Sequence, residues 1–137
     1  MRAALASRVF GDKEALHRLN SIVHPAVTHD FEEWAAEREL EGNTYAIMES
    51  AVLFENGLES MFDYTVAVIS PVEVRLARSM ARDGVSREKI EARMANQMSQ
   101  EQLAERADFV VRKDCGELVW PQILEIDRKI REDGVGR

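Results

Sequence analysis

The sequence predicts an α/β fold, because short β-branched apolar runs alternate with amphipathic helices and one run passes directly into a helix start. Residues 64–69 (YTVAVI) form an almost uninterrupted apolar stretch of the kind buried in a parallel sheet. They lead straight into Ser70-Pro71-Val72-Glu73, where Ser at the cap, Pro at the first helical position and Glu at the third read as a capping box. A strand feeding a capped helix is the βα unit of a parallel sheet. With 137 residues the chain has room for one ordinary domain, or for two small ones.

The other elements follow in order. A helix is expected over 2–10, with Gly11 as its stop and Asp12 as the next N-cap. Leu16, Leu19, Ile22 and Val23 then recur at helical spacing. Pro25 disfavours helix at His24, so it is expected to open a separate helix carrying Val27, Phe31, Trp34 and Ala35 on one stripe. Gly42 is placed to end that helix. Residues 44–48 (TYAIM) have the length and composition of a second buried strand, and Phe109-Val110-Val111 of a third. Ser86 and Ser99 are candidate caps, with Gln102 completing a second capping box. A last helix is expected over about 117–131. No repeat, low-complexity tract or linker marks an internal boundary.

Composition narrows the class. The 25 acidic against 18 basic residues give a net charge of −7, which argues against non-specific nucleic-acid binding. At 45% apolar and 31% charged residues, wholesale disorder is excluded. No apolar run approaches the roughly 18 residues of a membrane span, and no signal-peptide pattern opens the chain. A single cysteine forms no internal disulfide, which fits a reducing, cytoplasmic compartment. Cys115 has no cysteine partner for redox chemistry and reads as an inert thiol. His17, His24 and His29 lack the spacing of a zinc site, so no metal ligands are assigned.

Two segments carry residues suited to chemistry. Residues 75–97 hold Arg75, Arg78, Arg82, Arg87 and Arg93 within two short helices, and Arg78 and Arg82 share a helix face before the Asp83-Gly84 turn. Guanidinium groups presented this way suit phosphate oxygens, because the planar fork donates in pairs and stays charged. The same run also reads as a solvated hairpin whose arginines pair with Glu73, Glu88 and Glu91. The second segment, 49–55 (ESAVLFE), follows a predicted strand, and carboxylates beyond the carboxyl end of a parallel strand lie where such sheets bind ligands. Glu49 or Glu55 there is either a ligand contact or a solvated loop carboxylate beside core residues Leu53 and Phe54. Met80, Met94, Met98, Trp34 and Trp120 read as packing residues.

Together, RAALASRVF, LNSIVHP, VLFENGL, VISP, RSMARDGVS, RMANQ and RADFVV resemble, in this order and over nearly the whole chain, the dephospho-CoA kinase family. The resemblance implies a partial P-loop nucleoside-monophosphate-kinase-like fold in three layers, with short parallel strands and helical lid and substrate segments. It implies one incomplete kinase domain over 1–137: a helical substrate segment at 1–43, core strands and loop at 44–70, lid helices at 71–106, and a last strand and helix at 107–137. It further implies ATP-dependent phosphorylation of the ribose 3′-hydroxyl of dephospho-CoA, the last step of coenzyme A biosynthesis, with ATP and Mg²⁺ serving the complete enzyme. Arg78 and Arg82 would be catalytic lid residues, and Arg82, Arg93, Asp114 and Gly116 would bind the nucleotide. His24, Leu53, Phe54 and Glu55 would face dephospho-CoA.

The departures are as informative. The family's chains open with a strand and a glycine-rich phosphate loop, and their proposed catalytic base follows nearby; neither matches within this sequence. The chain therefore resembles the carboxyl-terminal two-thirds of the family, expected to be inactive alone and to bind no cofactor tightly. A substrate-and-lid fragment, or a module binding dephospho-CoA or nucleotide without turnover, is the alternative. Ala51 stands where the family commonly has proline, and Asp114-Cys115-Gly116 where it often has Asn-x-Gly. Strands 44–48 and 64–69 would flank the absent strand, so association of copies along unpaired sheet edges is expected.

Overall fold

The computed structural model describes residues 12–95, 97–114, 116 and 118–134. In chain order they form helix α1 (Lys13–Leu40), two 3-10 turns (Phe54–Asn56 and Glu59–Met61), strand β1 (Val66–Ile69), helices α2 (Val72–Asp83), α3 (Arg87–Met94) and α4 (Gln100–Arg106), strand β2 (Phe109–Arg112) and helix α5 (Val119–Gly134). The helix expected over 2–10 lies outside the described residues. Where the sequence suggests one incomplete domain, the chain's contacts divide it between Met48 and Glu49 into two compact units.

In the first unit, Asp12 caps α1 as expected, its carboxylate accepting the amides of Glu14 at 2.9 Å and Ala15 at 3.1 Å. Pro25 lies inside α1 and does not divide it, contrary to the expectation of two helices. An interior proline costs roughly 3 kcal/mol. Helical turns on both sides, at 13–24 and 26–40, supply enough backbone bonds to outweigh that cost. The helix ends at Gly42, whose φ of 84° is the left-handed conformation glycine adopts without strain. The Gly42 amide donates to Glu39 at 2.9 Å and the Asn43 amide to Arg38 at 3.1 Å, the paired bonds of a Schellman end. The strand expected at 44–48 is not formed: among the described residues only β1 and β2 make a ladder. A short apolar run becomes a strand only where a neighbouring strand meets it, and composition does not supply that neighbour.

The second unit is built on β1 and β2, which pair in parallel with Val66 opposite Phe109 and Ile69 opposite Arg112. α4 packs on β1 and α5 on β2. Ala67 and Ile69 are buried while Val66 and Val68, on the opposite face, are exposed. Phe54, Val111, Leu76 of α2 and Ile90 of α3 complete the buried apolar set. The strands enter through one knot of hydrogen bonds. The Asp108 carboxylate accepts both the Thr65 amide and the Thr65 hydroxyl at 2.7 Å, and the Asp108 amide returns a bond to the Thr65 hydroxyl at 3.2 Å.

The capping box expected at 70–73 is absent. Pro71 occupies the N-cap of α2 and no side chain caps the helix. The Ser70 hydroxyl instead donates across the sheet to the Lys113 carbonyl at 2.7 Å, and Glu73 pairs with Arg87. Tertiary partners outcompete the local cap for both side chains. The second box forms as expected, Ser99 and Gln102 bonding reciprocally at the start of α4.

Candidate functional site

The carboxyl ends of β1 and β2 are where a parallel sheet presents a ligand, and the residues just beyond the two strands, Ser70 and Lys113, bond to each other. After β1, Ser70 is held on two sides: its amide donates to the Gln100 side chain at 3.1 Å and its hydroxyl reaches Lys113. After β2, Asp114 is half-buried and its carboxylate lies 3.5 Å from the Gly116 amide, a wide Asx-type turn. Cys115 lies outside the described residues. The start of this segment is fixed by Gln122 of α5, whose amide accepts from the Arg112 amide at 2.8 Å and donates to the Arg112 carbonyl at 3.0 Å. Gln122 thus pairs with the edge of β2 much as a further strand residue would.

The arginines lie on the α2–α3 hairpin, whose turn is made at Gly84 with a φ of 62°. Arg82 and Arg93 meet at one carboxylate. Asp83 accepts from Arg82 Nε at 2.7 Å and from Arg93 Nη1 at 3.2 Å. The Arg82 hydrogen bond, assisted by the charge of Arg93, holds the Asp83 carboxyl below its ordinary range. Both guanidiniums stay open to solvent, with side-chain exposures of 76% for Arg82 and 63% for Arg93, so incoming phosphate oxygens can reach them. Arg78 is exposed one turn earlier on α2 and has no carboxylate partner among the described residues. Arg87 is engaged differently: it bridges Glu73 and Glu91, both at 2.7 Å, which raises its already high pKa. The solvated-hairpin reading therefore describes Arg87, while Arg78, Arg82 and Arg93 form a separate exposed set.

The third component is the turn at 53–59. Phe54 is buried, and the Arg106 guanidinium of α4 sits 4.9 Å from its ring centroid while also pairing with Glu59. Leu53 is half-buried, its carbonyl accepting the Leu58 amide at 3.1 Å. The Glu55 carboxylate accepts the Met98 amide at 2.6 Å, joining this turn to the chain between α3 and α4. His24 lies in α1, within the first unit, while the arginines, the 53–55 turn and the 112–116 segment belong to the second.

Sequence reasoning assigned no role to four side chains that organise this region: Asp83, Gln100, Asp108 and Gln122. Asp83 was legible in principle, since it adjoins Arg82 in RDG at the hairpin turn. The roles of the other three depend on contacts between distant segments. Among the described residues no group of three or more His, Cys, Asp or Glu side chains is arranged to hold a metal ion. No described helix is long and apolar enough to cross a membrane.

Comparison with known proteins points the same way. A family model for dephospho-CoA kinase matches residues 1–118. A dephospho-CoA kinase of Salinibacter ruber is 44% identical over 113 residues, covering 82% of this chain and 57% of its own length. One from Mesorhizobium japonicum is 37% identical over 131 residues, covering 96% of this chain and 66% of its own. A Thermus thermophilus crystal structure matches with a TM-score of 0.80 at 35% identity, covering 93% of this chain and 65% of that one. A dephospho-CoA kinase structure from Campylobacter jejuni matches with a TM-score of 0.59 at 26% identity, over 99% of this chain and 66% of that one. The chain thus spans 57% and 66% of the length of these two sequence relatives. An α/β unit with a strand running directly into an arginine-bearing hairpin, matched over most of its length by these kinases, belongs to the dephospho-CoA kinase family.

Proposed function

We propose that this chain supplies the substrate turn and the arginine lid for phosphoryl transfer from ATP to the ribose 3′-hydroxyl of dephospho-CoA. The observation that carries this is the convergence of Arg82 and Arg93 on Asp83, with both guanidiniums exposed and Arg78 one turn away. In the transfer, the ribose 3′-oxygen bonds to the γ-phosphorus, the bond from that phosphorus to the ADP oxygen breaks, and the hydroxyl proton is released to solvent. Catalysis then rests on positioning and on neutralising spread negative charge. Arg78 and Arg82 would face the transferring phosphoryl, and Arg82 with Arg93 would face the ATP phosphates. Asp114 and Gly116 would border the nucleotide, while Leu53, Phe54, Glu55 and His24 would border dephospho-CoA. Mg²⁺ would supply neutralisation of phosphate charge in a reaction of this class, and among the described residues no group of three or more His, Cys, Asp or Glu side chains is arranged to hold it. Dephospho-CoA and ATP are the partners on this reading, nucleic acid is not, and a cytoplasmic location goes with it.

A second reading is favoured by one observation: the 137 residues contain no glycine-rich phosphate loop with its Lys and Ser or Thr. On that reading the chain alone binds substrate without turning it over. The experiment is to assay the chain with ATP and dephospho-CoA, then repeat the assay on a version extended upstream by a family phosphate-loop segment. Activity only in the extended version supports both statements. No activity in an extended, folded version removes the kinase assignment of this lid.

A further inference from the structure

Within the second unit, the chain enters the α2–α3 hairpin after Ser70 and leaves it at Met98, and both of these points are held by side-chain acceptors from elsewhere. Gln100 takes the Ser70 amide at 3.1 Å, and Glu55 takes the Met98 amide at 2.6 Å. The two bonds differ in what they join. Gln100 belongs to α4, which is packed on β1, so its bond ties the outgoing end to the sheet. Glu55 belongs to the Phe54–Asn56 turn, adjoining Leu53 and Phe54, so its bond ties the returning end to the turn proposed to meet dephospho-CoA. A carboxylate accepting a backbone amide makes a charge-assisted bond, roughly twice as strong as a neutral one. The turn is itself anchored through Phe54 and Glu59 to Arg106.

We infer that Glu55 is a positioning residue that fastens the returning end of the arginine hairpin to the substrate turn, so that ordering the turn and ordering the lid are coupled. This rests on the proposed substrate role of the turn. With one carboxylate oxygen engaged by Met98, Glu55 acts on the reaction through the hairpin, while Phe54 is buried as the anchor of the turn and Leu53 stays half-exposed beside it. Binding at the turn then restricts the hairpin that carries Arg78, Arg82 and Arg93 before nucleotide arrives.

Amide hydrogen exchange on the 137-residue chain tests this, comparing wild type with Glu55→Ala, Glu55→Gln and the control Glu105→Ala, each with and without dephospho-CoA. Without ligand, Glu55→Ala is expected to speed exchange over 71–98 by about tenfold while β1 and β2 keep their protection. Glu55→Gln, whose amide oxygen still accepts the Met98 amide, falls between, and Glu105→Ala matches wild type. Dephospho-CoA is expected to slow exchange at 53–59 in wild type and Glu55→Ala, but at the hairpin only in wild type. Hairpin exchange in Glu55→Ala within about twofold of wild type overturns the inference, because a bond of this kind would leave a larger mark. Equal loss of protection in strands and hairpin in both variants also overturns it, since Glu55 would then be merely structural. So does equal slowing of the hairpin by dephospho-CoA in wild type and Glu55→Ala. If Glu55→Ala fails to fold, Glu55→Gln decides: a rise confined to the hairpin supports the inference and no rise overturns it. If dephospho-CoA changes nothing in wild type, the substrate reading of the turn fails, and the ligand-free comparison alone decides the fastening.

Discussion

Around the two strands, side chains bond to backbone groups far away in sequence: Asp108 to Thr65, Ser70 to Lys113, Gln122 to Arg112 and Glu55 to Met98. On the α2–α3 hairpin the corresponding bonds join side chain to side chain at the surface, Arg82 and Arg93 to Asp83, and Arg87 to Glu73 and Glu91. The first kind satisfies backbone groups that would be costly to leave unpaired at a sheet edge. The second kind contributes little to stability, because water and salt screen exposed pairs. The difference teaches how one small unit can hold a fixed base and a hairpin whose charges are free to exchange. A guanidinium that leaves a surface carboxylate for a phosphate gives up a weak partner for one carrying more charge.

The largest expected effect breaks the exchangeable side of this contrast. In a version extended by the phosphate-loop segment, Arg82→Ala should lower turnover by at least about a hundredfold, the scale of losing a charge-stabilising donor. Arg75→Ala should cost much less, since Arg75 lies outside the Arg78–Arg82–Arg93 set. Steady-state kinetics on both variants checks this; equal losses would return the hairpin to a solvated face. On the fixed side, Asp108→Ala strips partners from the Thr65 amide and hydroxyl, and Thr65 is only 7% exposed. A loss of about 2 kcal/mol in urea unfolding is expected.

Sequence patterning resolved the parts of this fold whose causes are local. Asp12, the Gly42 helix end and the Ser99–Gln102 box are short-range chemistry, and each stands in the structure where the residues place it. Pattern failed where a distant partner decides. Ser70 and Glu73 have the right spacing for a capping box, yet Lys113 and Arg87 claim them. Residues 44–48 have strand composition and no strand ladder, because a ladder needs a second chain segment that composition cannot supply. Pro25 is the reverse case: a strong local breaker overruled by the length of helix around it. For the candidate site, the arginine cluster was legible from helical spacing. Asp83 could be read beside Arg82, but its second bond to Arg93 could not, nor could Glu55 as the acceptor of the Met98 amide, because both are made between separate segments.

Smaller effects sharpen the same contrast. Gln122→Ala removes the side-chain bonds at the outer edge of β2 and should cost about 1 kcal/mol in urea unfolding, with faster exchange at the Arg112 amide. Acid should loosen the base through Asp108. Its carboxyl is held below its ordinary range by the Thr65 hydroxyl first and the Thr65 amide second. A depressed folded-state value stabilises fully above the ordinary aspartate range, and that contribution disappears as pH falls through the folded value. Melting curves from about pH 6 down to about pH 3 should therefore fall more gently in Asp108→Asn than in wild type. The smallest change is Arg87→Ala, expected to leave the urea midpoint close to that of wild type because its pairs are exposed.

The proposed exchange of carboxylate for phosphate is most directly tested at the arginines themselves. The side-chain Nε–H resonances of Arg78, Arg82 and Arg93 should be followed in the 137-residue chain as ATP is added to millimolar levels at constant ionic strength, with Arg87 and Arg128 as internal references in their own ion pairs. The account predicts saturable shifts at Arg82 and Arg93, joined by Arg78, with Arg87, Arg128 and the Thr65 amide nearly unmoved. Shifts of equal size at all five arginines, or none at Arg82 and Arg93, would contradict the claim that the hairpin is a phosphate-binding lid.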